Sequence, residues 1–230
     1  MSTLNGGPGV VLDGLVLNLD AANTKSYISG STTWIDISRG GNNGTLTNGP
    51  TFNTGSGGSI VFDGVDDSVV STNTINLSGS NARTLECWIF LTANQSKNIM
   101  GYGGSANGQL FDTILWFTSG FQRVVGHYYG SGFDTIATLP ARNTINLNAW
   151  NQVVHTYSGT VASLWTNGIL SNSLTVNINT TNTVFSVGAG SFSGYNFFNG
   201  RTANFKAYNR ALTAQEVLQN YNATKGRFGL

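Results

Sequence analysis

Charged side chains are scarce in this sequence. They make up 9% of its 230 residues, where about 25% is usual in globular proteins. The 11 Lys and Arg residues stand singly rather than in clusters, and the net charge is only +1. These features exclude the basic footprint of a protein that binds nucleic acid or an anionic membrane, so we expect neither partner.

Cysteine occurs once, as Cys87, which excludes a disulfide within the chain. It alternates with Leu85 and Ile89 in an apolar strand pattern, which predicts a buried thiol. No apolar run is long enough for a transmembrane helix. The segment from Met1 to Gly9 has neither the basic start nor the apolar run of a secretory signal, so we expect assembly in a cytoplasm unless a signal has been removed.

Glutamate is also rare, with Glu86 and Glu216 as its two occurrences. Glycosidases need two carboxyl groups about 5–9.5 Å apart on either side of the scissile bond. Glu216 belongs to a predicted helix cap, and Glu86 lies on a predicted strand with no acidic residue two positions away. We therefore predict that the protein is not an enzyme.

Aromatic and neutral polar residues are abundant instead. Hydrophobic residues form 40% of the chain and include 13 Phe, 8 Tyr and 5 Trp. This content can fill the space between two sheets, and no composition change marks a second core. One domain is therefore expected over residues 10–223, with an N-terminal arm at 1–9 and a C-terminal tail at 224–230.

The clearest local pattern spans residues 149–169. Polar and apolar residues alternate on either side of a turn at 158–160, which predicts a β-hairpin. Asn167-Gly168 is typical of a type I′ turn, so a third strand should begin near Ile169.

Similar patterns along the chain predict about a dozen short strands followed by one helix. Thr213 and Glu216 have the spacing of a capping box at the start of that helix. Many short strands with regular turn signals predict an all-β, two-sheet jelly-roll sandwich with one short C-terminal helix. The predicted strands are at 10–20, 45–47, on both sides of a tight turn at Asp63-Gly64 within 59–70, and at 83–91, 97–102, 110–117, 121–128, 133–138, 183–189 and 198–208.

Four blocks of sequence carry a family resemblance: 62–67, 84–89, 150–168, and the pair 198–200 and 208–216. Together they resemble the laminin-G-like branch of the concanavalin A-like lectin and glucanase superfamily, over roughly residues 12–223. The resemblance implies a twisted jelly roll that binds carbohydrate, often holds a structural calcium and mostly lacks catalysis.

Residues 14–21 and 41–50 further resemble copies of this module in structural proteins of tailed bacteriophages. That likeness implies a virion surface protein, either a capsid decoration or a tail-fibre component, present as a homo-oligomer or as part of an assembly. We expect the arm before Val10 and the tail after Thr224 to dock on other virion subunits. The alternatives are a bacterial secreted or cell-surface carbohydrate-binding module, and a polysaccharide lyase.

Two stretches mix aromatic residues with glycine and amides, 126–130 and 191–198. Aromatic rings pack on the apolar faces of sugars while amides bond to hydroxyl groups, so these stretches are candidate glycan contacts. The same aromatic residues also suit core positions or contacts between subunits. The candidate contacts are His127, Tyr128, Tyr129, Tyr195 and Asn196.

Asp63, Asp66 and Asp67 place three carboxylates within five residues, a density that suits calcium. Aspartates in a tight turn also accept hydrogen bonds from nearby backbone N–H groups without any metal. Because neighbouring residues on a strand face opposite ways, Asp66 and Asp67 cannot both point inward.

The lyase alternative depends on residues 204–209, which resemble a motif of jelly-roll alginate lyases. The partner motif of those enzymes has Gln and His two residues apart, on one face of a strand. Gln152 and His155 are three residues apart here and so face opposite ways. The chain also departs from the laminin-G-like pattern at 202–204, where it has Thr-Ala-Asn and that family commonly has Ile, then Asp or Ala, then Glu.

Overall fold

The computed structural model describes residues 9–130, 144–190 and 197–230. Within them the chain forms two packed antiparallel sheets and one α-helix, so the predicted all-β sandwich with a C-terminal helix is confirmed. The elements are β1 (Leu15–Asp20), β2 (Thr33–Trp34), β3 (Gly44–Thr47), β4 (Thr51–Asn53), β5 (Ser59–Asp63), β6 (Ser68–Thr74), β7 (Arg83–Phe90), β8 (Asn98–Gly103), β9 (Leu110–Thr118), β10 (Phe121–His127), β11 (Trp150–Tyr157), β12 (Val161–Thr166), β13 (Ile169–Thr175), β14 (Val184–Val187), β15 (Asn199–Tyr208) and α1 (Ala214–Thr224).

The first sheet has the strand order β13-β12-β11-β7-β15-β5-β4, with β1 also paired to β15. The second has the order β10-β9-β8-β14-β6-β3-β2. The predicted meander is confirmed, because β11, β12 and β13 are consecutive antiparallel neighbours. Asn167 and Gly168, between β12 and β13, have φ values of 53° and 78°, as a type I′ turn requires.

Alternation along the strands builds the core between the two sheets. On β7, Leu85, Cys87 and Ile89 face the other sheet and are fully buried. On β11, Val153 and His155 do the same. The prediction of a buried thiol is confirmed, and burial raises the pKa of Cys87 above its ordinary value, so the thiol stays protonated.

The C-terminal segment covers the outer face of the first sheet. Thr213 and Glu216 form the predicted capping box, which begins α1. Val217 then packs with Val154 of β11 and Tyr208 of β15 in a second apolar cluster. Among the described helices, none is long and apolar enough to cross a membrane.

The tail after α1 folds back onto its own sandwich. The ring of Phe228 stacks on Trp88 at 4.2 Å and lies 4.8 Å from Trp150, measured between ring centroids. Arg227 donates to Asp20 at 2.7 Å and to two backbone carbonyls, those of Ser56 and Gly58. Contacts within the chain therefore hold the tail in place, and its docking on another subunit stays a prediction.

The chain between β5 and β6 also differs from expectation. The pattern at 59–70 predicts a hairpin, but β5 pairs with β4 and β15 of the first sheet, whereas β6 pairs with β3 and β14 of the second. The turn at 63–67 therefore crosses between sheets. The first strand begins at Leu15 rather than at Val10. The predicted strand at 133–138 and the arm before Gly9 lie outside the described residues.

Candidate functional site

The acidic turn, residues 63–67, is held in shape by its own carboxylates. Asp67 Oδ2 accepts from Asp63 N at 3.0 Å, and Asp63 Oδ1 accepts from Val65 N at 2.8 Å. Gly64 has a φ of 82°, and a Cβ there would lie 2.8 Å from the Cβ of Asn199 on β15. Both the backbone conformation and this close approach require glycine, and together they fix the turn against β15.

The same turn presents a geometry that suits calcium. Each aspartate offers one carboxylate oxygen, and the three oxygens lie within 4.8 Å of one another. Calcium binds oxygen ligands at about 2.4 Å, so two ligands of one ion lie at most about 4.8 Å apart. The predicted set of Asp63, Asp66 and Asp67 is thus brought together, although Asp67 is buried and the other two are exposed.

The environment of Asp67 disfavours its charged form when no cation is present. Burial raises its pKa, and the neighbouring charges of Asp63 and Asp66 raise it further, against the opposing effect of the hydrogen bond from Asp63 N. A bound cation would offset this repulsion. The residues therefore fit a calcium ion, which would supply charge neutralisation and a link between the two sheets.

Beside the acidic turn runs an open groove at the rim of the first sheet. It consists of two adjoining clefts of about 270 and 240 Å³ that share Thr92 and Asn199 as walls. We call it the rim groove. Its walls are chiefly backbone, amide, hydroxyl and aromatic groups, the mixture that suits a sugar. The lining residues are Asn53, Val61, Phe62, Gly64, Phe90, Thr92, Ala93, Asn94, Gln95, Lys97, Asn199, Gly200 and Arg201.

Side-chain amides fix the backbone of the rim groove. Gln95 bonds twice to the backbone of Asn199, donating from Nε2 to its carbonyl at 2.6 Å and accepting from its N–H at 2.9 Å. The amide of Asn199 in turn donates to the carbonyl of Asp63 at 3.0 Å. The rim groove and the acidic turn are therefore one connected structure.

Arg201, near the start of β15, forms one end of the groove. Its guanidinium lies over the ring of Phe90 at 3.9 Å and 5.5 Å from the ring of Trp150. Nη1 donates to Asn53 Oδ1 at 3.2 Å. Partial burial lowers the pKa of Arg201 from its ordinary value, but an arginine remains charged at neutral pH.

The glycan contacts predicted from the sequence differ in how far the structure exposes them to solvent. Tyr128 is fully buried, so the prediction that it contacts an external glycan is wrong: the alternation of β10 continues past the strand end and turns this ring inward. His127 ends β10 and is 5% exposed. Tyr129, with φ 63°, is partly exposed and remains a candidate. Tyr195 and Asn196 lie outside the described residues.

His155 lies in the core and is not an accessible base. Its Nε2 is 2.7 Å from the Tyr128 hydroxyl and its Nδ1 is 3.0 Å from Thr113 Oγ1. Burial, and then the charge of Arg83, lower its pKa to about 3, so the imidazole is neutral at physiological pH. Gln152 faces the opposite side of the sheet, as its three-residue offset predicts.

Gln152 belongs instead to a group that we call the sealed polar layer, which lies between the first sheet and α1. At its centre Glu86 is fully buried and accepts from Lys206 Nζ at 3.3 Å and from Gln152 Nε2 at 3.2 Å. Its second oxygen accepts from Asn220 Nδ2 of α1 at 2.6 Å. The lyase-like residues Gln152 on β11 and Lys206 on β15 thus both donate to Glu86 beneath a helix.

The carboxylate of Glu216 is likewise occupied by hydrogen bonds within the protein. Arg210 donates to both of its oxygens, at 2.8 and 2.7 Å, and Thr213 N–H donates to Oε2 at 2.9 Å. These bonds, the ones from Arg210 above all, lower the pKa of Glu216 to about 2. Neither glutamate of the chain is therefore positioned to act on a substrate. Residues 202–204 are buried and uncharged and supply no replacement carboxylate.

Sequence reasoning did not find the rim groove. Its residues come from separate segments at 53, 61–64, 90–97 and 199–201, which the pairing of β5 with β4 and of β15 with β5 and β7 brings together. The available signal was the block at 198–200, which was interpreted only as part of a fold motif.

Comparison with solved structures shows the same fold. Domain 4 of AbnA, a GH43 extracellular arabinanase from Geobacillus stearothermophilus solved with arabinotriose, is 14% identical with a TM-score of 0.69; the match covers 90% of this chain and 98% of that domain. The binding domain of Paraclostridial Mosquitocidal Protein 1 is 18% identical with a TM-score of 0.69, over 92% of this chain and 52% of that one. Trypanosoma rangeli sialidase is 16% identical with a TM-score of 0.66, over 93% and 33%.

These identities establish the fold alone, and the chain spans about half of the toxin domain and a third of the sialidase. No curated protein sequence matches the chain. A laminin-G family model, however, matches residues 63–218, which is more than half of the chain and includes the acidic turn, Glu86, Gln152 and Lys206 of the sealed polar layer, and the start of α1. The chain therefore belongs to the concanavalin A-like lectin/glucanases superfamily.

Proposed function

We propose that this protein is a non-catalytic glycan-binding module in which the sugar lies in the rim groove beside the acidic turn. The observation that carries the proposal is the groove itself. It offers the exposed amides of Asn94 and Asn199, and the guanidinium of Arg201 that lies over the ring of Phe90, in one open channel. Amide and guanidinium groups bond to sugar hydroxyls.

The absence of catalysis is supported by the positions of the carboxylates. Glu86 is sealed under α1, and Glu216 is bonded to Arg210. Two aspartates of the acidic turn are exposed, but Asp67, their nearest potential partner in acid–base chemistry, is 4% exposed and holds the backbone of Asp63. A pair of carboxyl groups flanking a glycosidic bond needs both members to reach the substrate.

Calcium at the acidic turn would act on the groove by positioning it. The turn contacts Asn199 through Gly64 and through the carbonyl of Asp63. A cation bound by the three aspartates would hold this wall in one conformation, because all three ligands are in one five-residue segment. Glycan affinity should then depend on calcium even without direct contact between ion and sugar.

The test is a glycan array followed by titration calorimetry of the positives, with calcium and with EDTA. We expect dissociation constants in the micromolar to millimolar range and a loss of about tenfold for Asn94→Ala, whose side chain makes no hydrogen bond in the structure. Lys25→Gln, an exposed change far from the groove in sequence, serves as the control. An array without a single positive glycan would refute the function.

We place the module on a bacteriophage particle, as a capsid decoration or tail-fibre component assembled in the bacterial cytoplasm. The support is the resemblance of residues 14–21 and 41–50 to modules in phage structural proteins. The arm before Val10 and the tail after Thr224 are the candidates for docking on other virion subunits, and we expect a homo-oligomer or a larger assembly. Mass spectrometry of purified virions should find this polypeptide at a fixed high copy number.

The two alternative functions predict different experimental results. A bacterial secreted or surface module would be encoded with a signal or a neighbouring domain and would be missing from virions. A polysaccharide lyase would release unsaturated sugars, detectable by their ultraviolet absorbance, from a panel of uronate polymers. The burial of Gln152 and Lys206 around Glu86 argues against the lyase.

A further inference from the structure

Arg201 has neither an acidic partner nor the full set of protein hydrogen bonds found for the other buried or partly buried cations near the first sheet. Arg83 of β7 also lacks an acidic partner, but its guanidinium donates to the carbonyls of Leu77, Gly79 and Asn81 and to the Tyr102 hydroxyl. Lys206 pairs with Glu86, Arg210 with Asp13 and Glu216, and Arg227 with Asp20. Among the described residues, Arg201 has one side-chain hydrogen bond, to the neutral oxygen of Asn53. An uncompensated charge beside aromatic rings costs solvation energy, so its presence in an open groove calls for a functional explanation.

The guanidinium of Arg201 is held ready for a ligand. The contact with the ring of Phe90 at 3.9 Å fixes the plane of the guanidinium. The hydrogen bond from Nη1 to Asn53 Oδ1 fixes how the group is turned within that plane. The Nε and Nη2 groups, which together form the side-on fork of an arginine, make no hydrogen bond to any residue that the structure describes. This fork matches the two oxygens of a carboxylate, and a fixed side chain loses little entropy when it binds one.

The charged side chains that line the groove itself are both positive. Lys97 lines the adjoining cleft and also makes no ion pair in the described structure, while none of the lining residues is acidic. In a chain with only 11 basic residues, two of them line this one channel. The acidic turn borders the channel at Gly64, so an anionic group is repelled at that end and attracted toward Arg201.

We propose that the rim groove selects glycans that carry a carboxylate, such as uronic acids, and that Arg201 binds the carboxylate through its Nε and Nη2 groups. This inference rests on the glycan-binding function proposed above and adds the class of ligand. Neutral sugar units next to the acidic one would occupy the part of the groove formed by Asn94, Gln95 and Asn199. Lys97 would provide a second, weaker attraction.

The test compares pairs of ligands that differ only in the acidic group. Oligogalacturonate is paired with its methyl ester, and sialyllactose with its sialic acid methyl ester, in titration calorimetry with calcium and again with EDTA. The wild type should bind the free acid at least tenfold more tightly than the neutral partner. Arg201→Gln should remove that difference and change the affinity for the neutral partner by less than twofold.

Two further variants separate geometry from charge. Arg201→Lys keeps the charge but lacks the fork, so it should lose about threefold or more toward the acid. Arg39→Gln removes an equal charge from an exposed site outside the groove and should bind as the wild type does. Thermal melts check folding, and the Nε–H resonance of Arg201 in the wild-type protein, followed by NMR during titration, should shift with the acid and not with its ester.

The outcomes separate the two proposals. Equal binding of acid and ester, unaffected by Arg201→Gln, overturns the carboxylate inference and leaves glycan binding standing. Failure to bind any member of the panel overturns both. Binding of a sulfated oligosaccharide with the same dependence on Arg201 overturns selectivity for a carboxylate, because it shows recognition of anions in general.

Discussion

Strand β15 carries two cations five residues apart whose circumstances are opposite. Lys206 is buried in the sealed polar layer, where Glu86 neutralises it, and Arg201 lies in the open rim groove without an acidic partner. The amides divide in the same way, since Gln152 and Asn220 bond to Glu86 while Asn94 faces solvent. Residue types that read alike in the sequence are structural in one region and available to a ligand in the other.

The difference follows from what covers each region. Helix α1 and the tail close the outer face of the first sheet over β7, β11 and the later half of β15, and every polar group there must find a partner inside the protein. The covering segment does not extend over the beginning of β15, where the groove lies. Position beneath α1, rather than residue type, therefore decides which polar groups can bind a ligand.

The largest expected effect comes from breaking the sealed polar layer. Glu86→Ala leaves Lys206 buried and unpaired, and it should lower the free energy of unfolding by about 3–5 kcal/mol in urea titrations. The double variant Glu86→Leu with Lys206→Met should recover most of this loss, because an apolar pair needs no counterion. A single variant as stable as the wild type would mean that water reaches this layer.

Removing the cover should be the next most damaging change. Truncation after Thr224 exposes Trp88 and Trp150 by deleting the stacked ring of Phe228. We expect a loss of about 2–3 kcal/mol in unfolding free energy and a red shift of tryptophan fluorescence. Both changes should be independent of protein concentration, because the contact is within the chain. A loss that depends on protein concentration would instead support docking of the tail on another subunit.

Lowering the pH should reduce the stability of the protein because His155 is buried in the core. Its folded pKa of about 3 lies below the ordinary value of 6.5, so its contribution to stability is full above pH 6.5 and is lost as the pH falls toward 3. Between pH 6.5 and 5 this amounts to about 2 kcal/mol. His155→Gln should reduce the slope of stability against pH in that window. An imidazole NMR signal that titrates near pH 6 would contradict burial of this ring.

Calcium should stabilise the rim more modestly. At an ion concentration about tenfold above the dissociation constant, binding adds about 1.4 kcal/mol and raises Tm by a few degrees. Asp67→Asn should abolish the shift, whereas Asp13→Asn, outside the turn, should keep it. Because the folded pKa of Asp67 is raised, its ionisation costs stability as the pH rises, so Asp67→Asn in EDTA should melt no lower than the wild type at neutral pH.

The smallest effect on stability is expected in the open groove. Asn94→Ala removes an exposed amide without a hydrogen-bond partner and should change the free energy of unfolding by less than about 0.5 kcal/mol. Its effect should appear in glycan affinity alone. A large loss of stability would show that this amide supports the loop and would blur the distinction between the two regions.

Local patterns predicted much of the fold because their causes are local. The turn at Asn167-Gly168 and the capping box of Thr213 and Glu216 depend on residues only a few positions apart, and both are confirmed. The hairpin at 59–70 was wrong because a tight turn of Asp63-Gly64 specifies a reversal but not the sheet that the next strand joins. That choice depends on pairing with β3 and β14, which are distant in sequence.

The site was harder to predict for the same reason. Tyr128 matched the pattern of an aromatic contact, yet its hydroxyl bonds to His155 across the core, a partner 27 residues away. Arg201 becomes a candidate only when Phe90 and Asn53 are seen beside it. The acidic turn was found because its three carboxylates are adjacent in the chain, and its place next to the groove was not.

The crossing of the acidic turn from one sheet to the other has a mechanical consequence. The turn lines the rim groove through Gly64 and is also the covalent link between β5 and β6, so a ligand that stiffens the turn also limits how far the two sheets can separate at this edge. Hydrogen exchange should therefore slow in β6, in the sheet that does not line the groove, when glycan or calcium binds. Ligand binding would then be observable as a change in the stiffness of the sandwich.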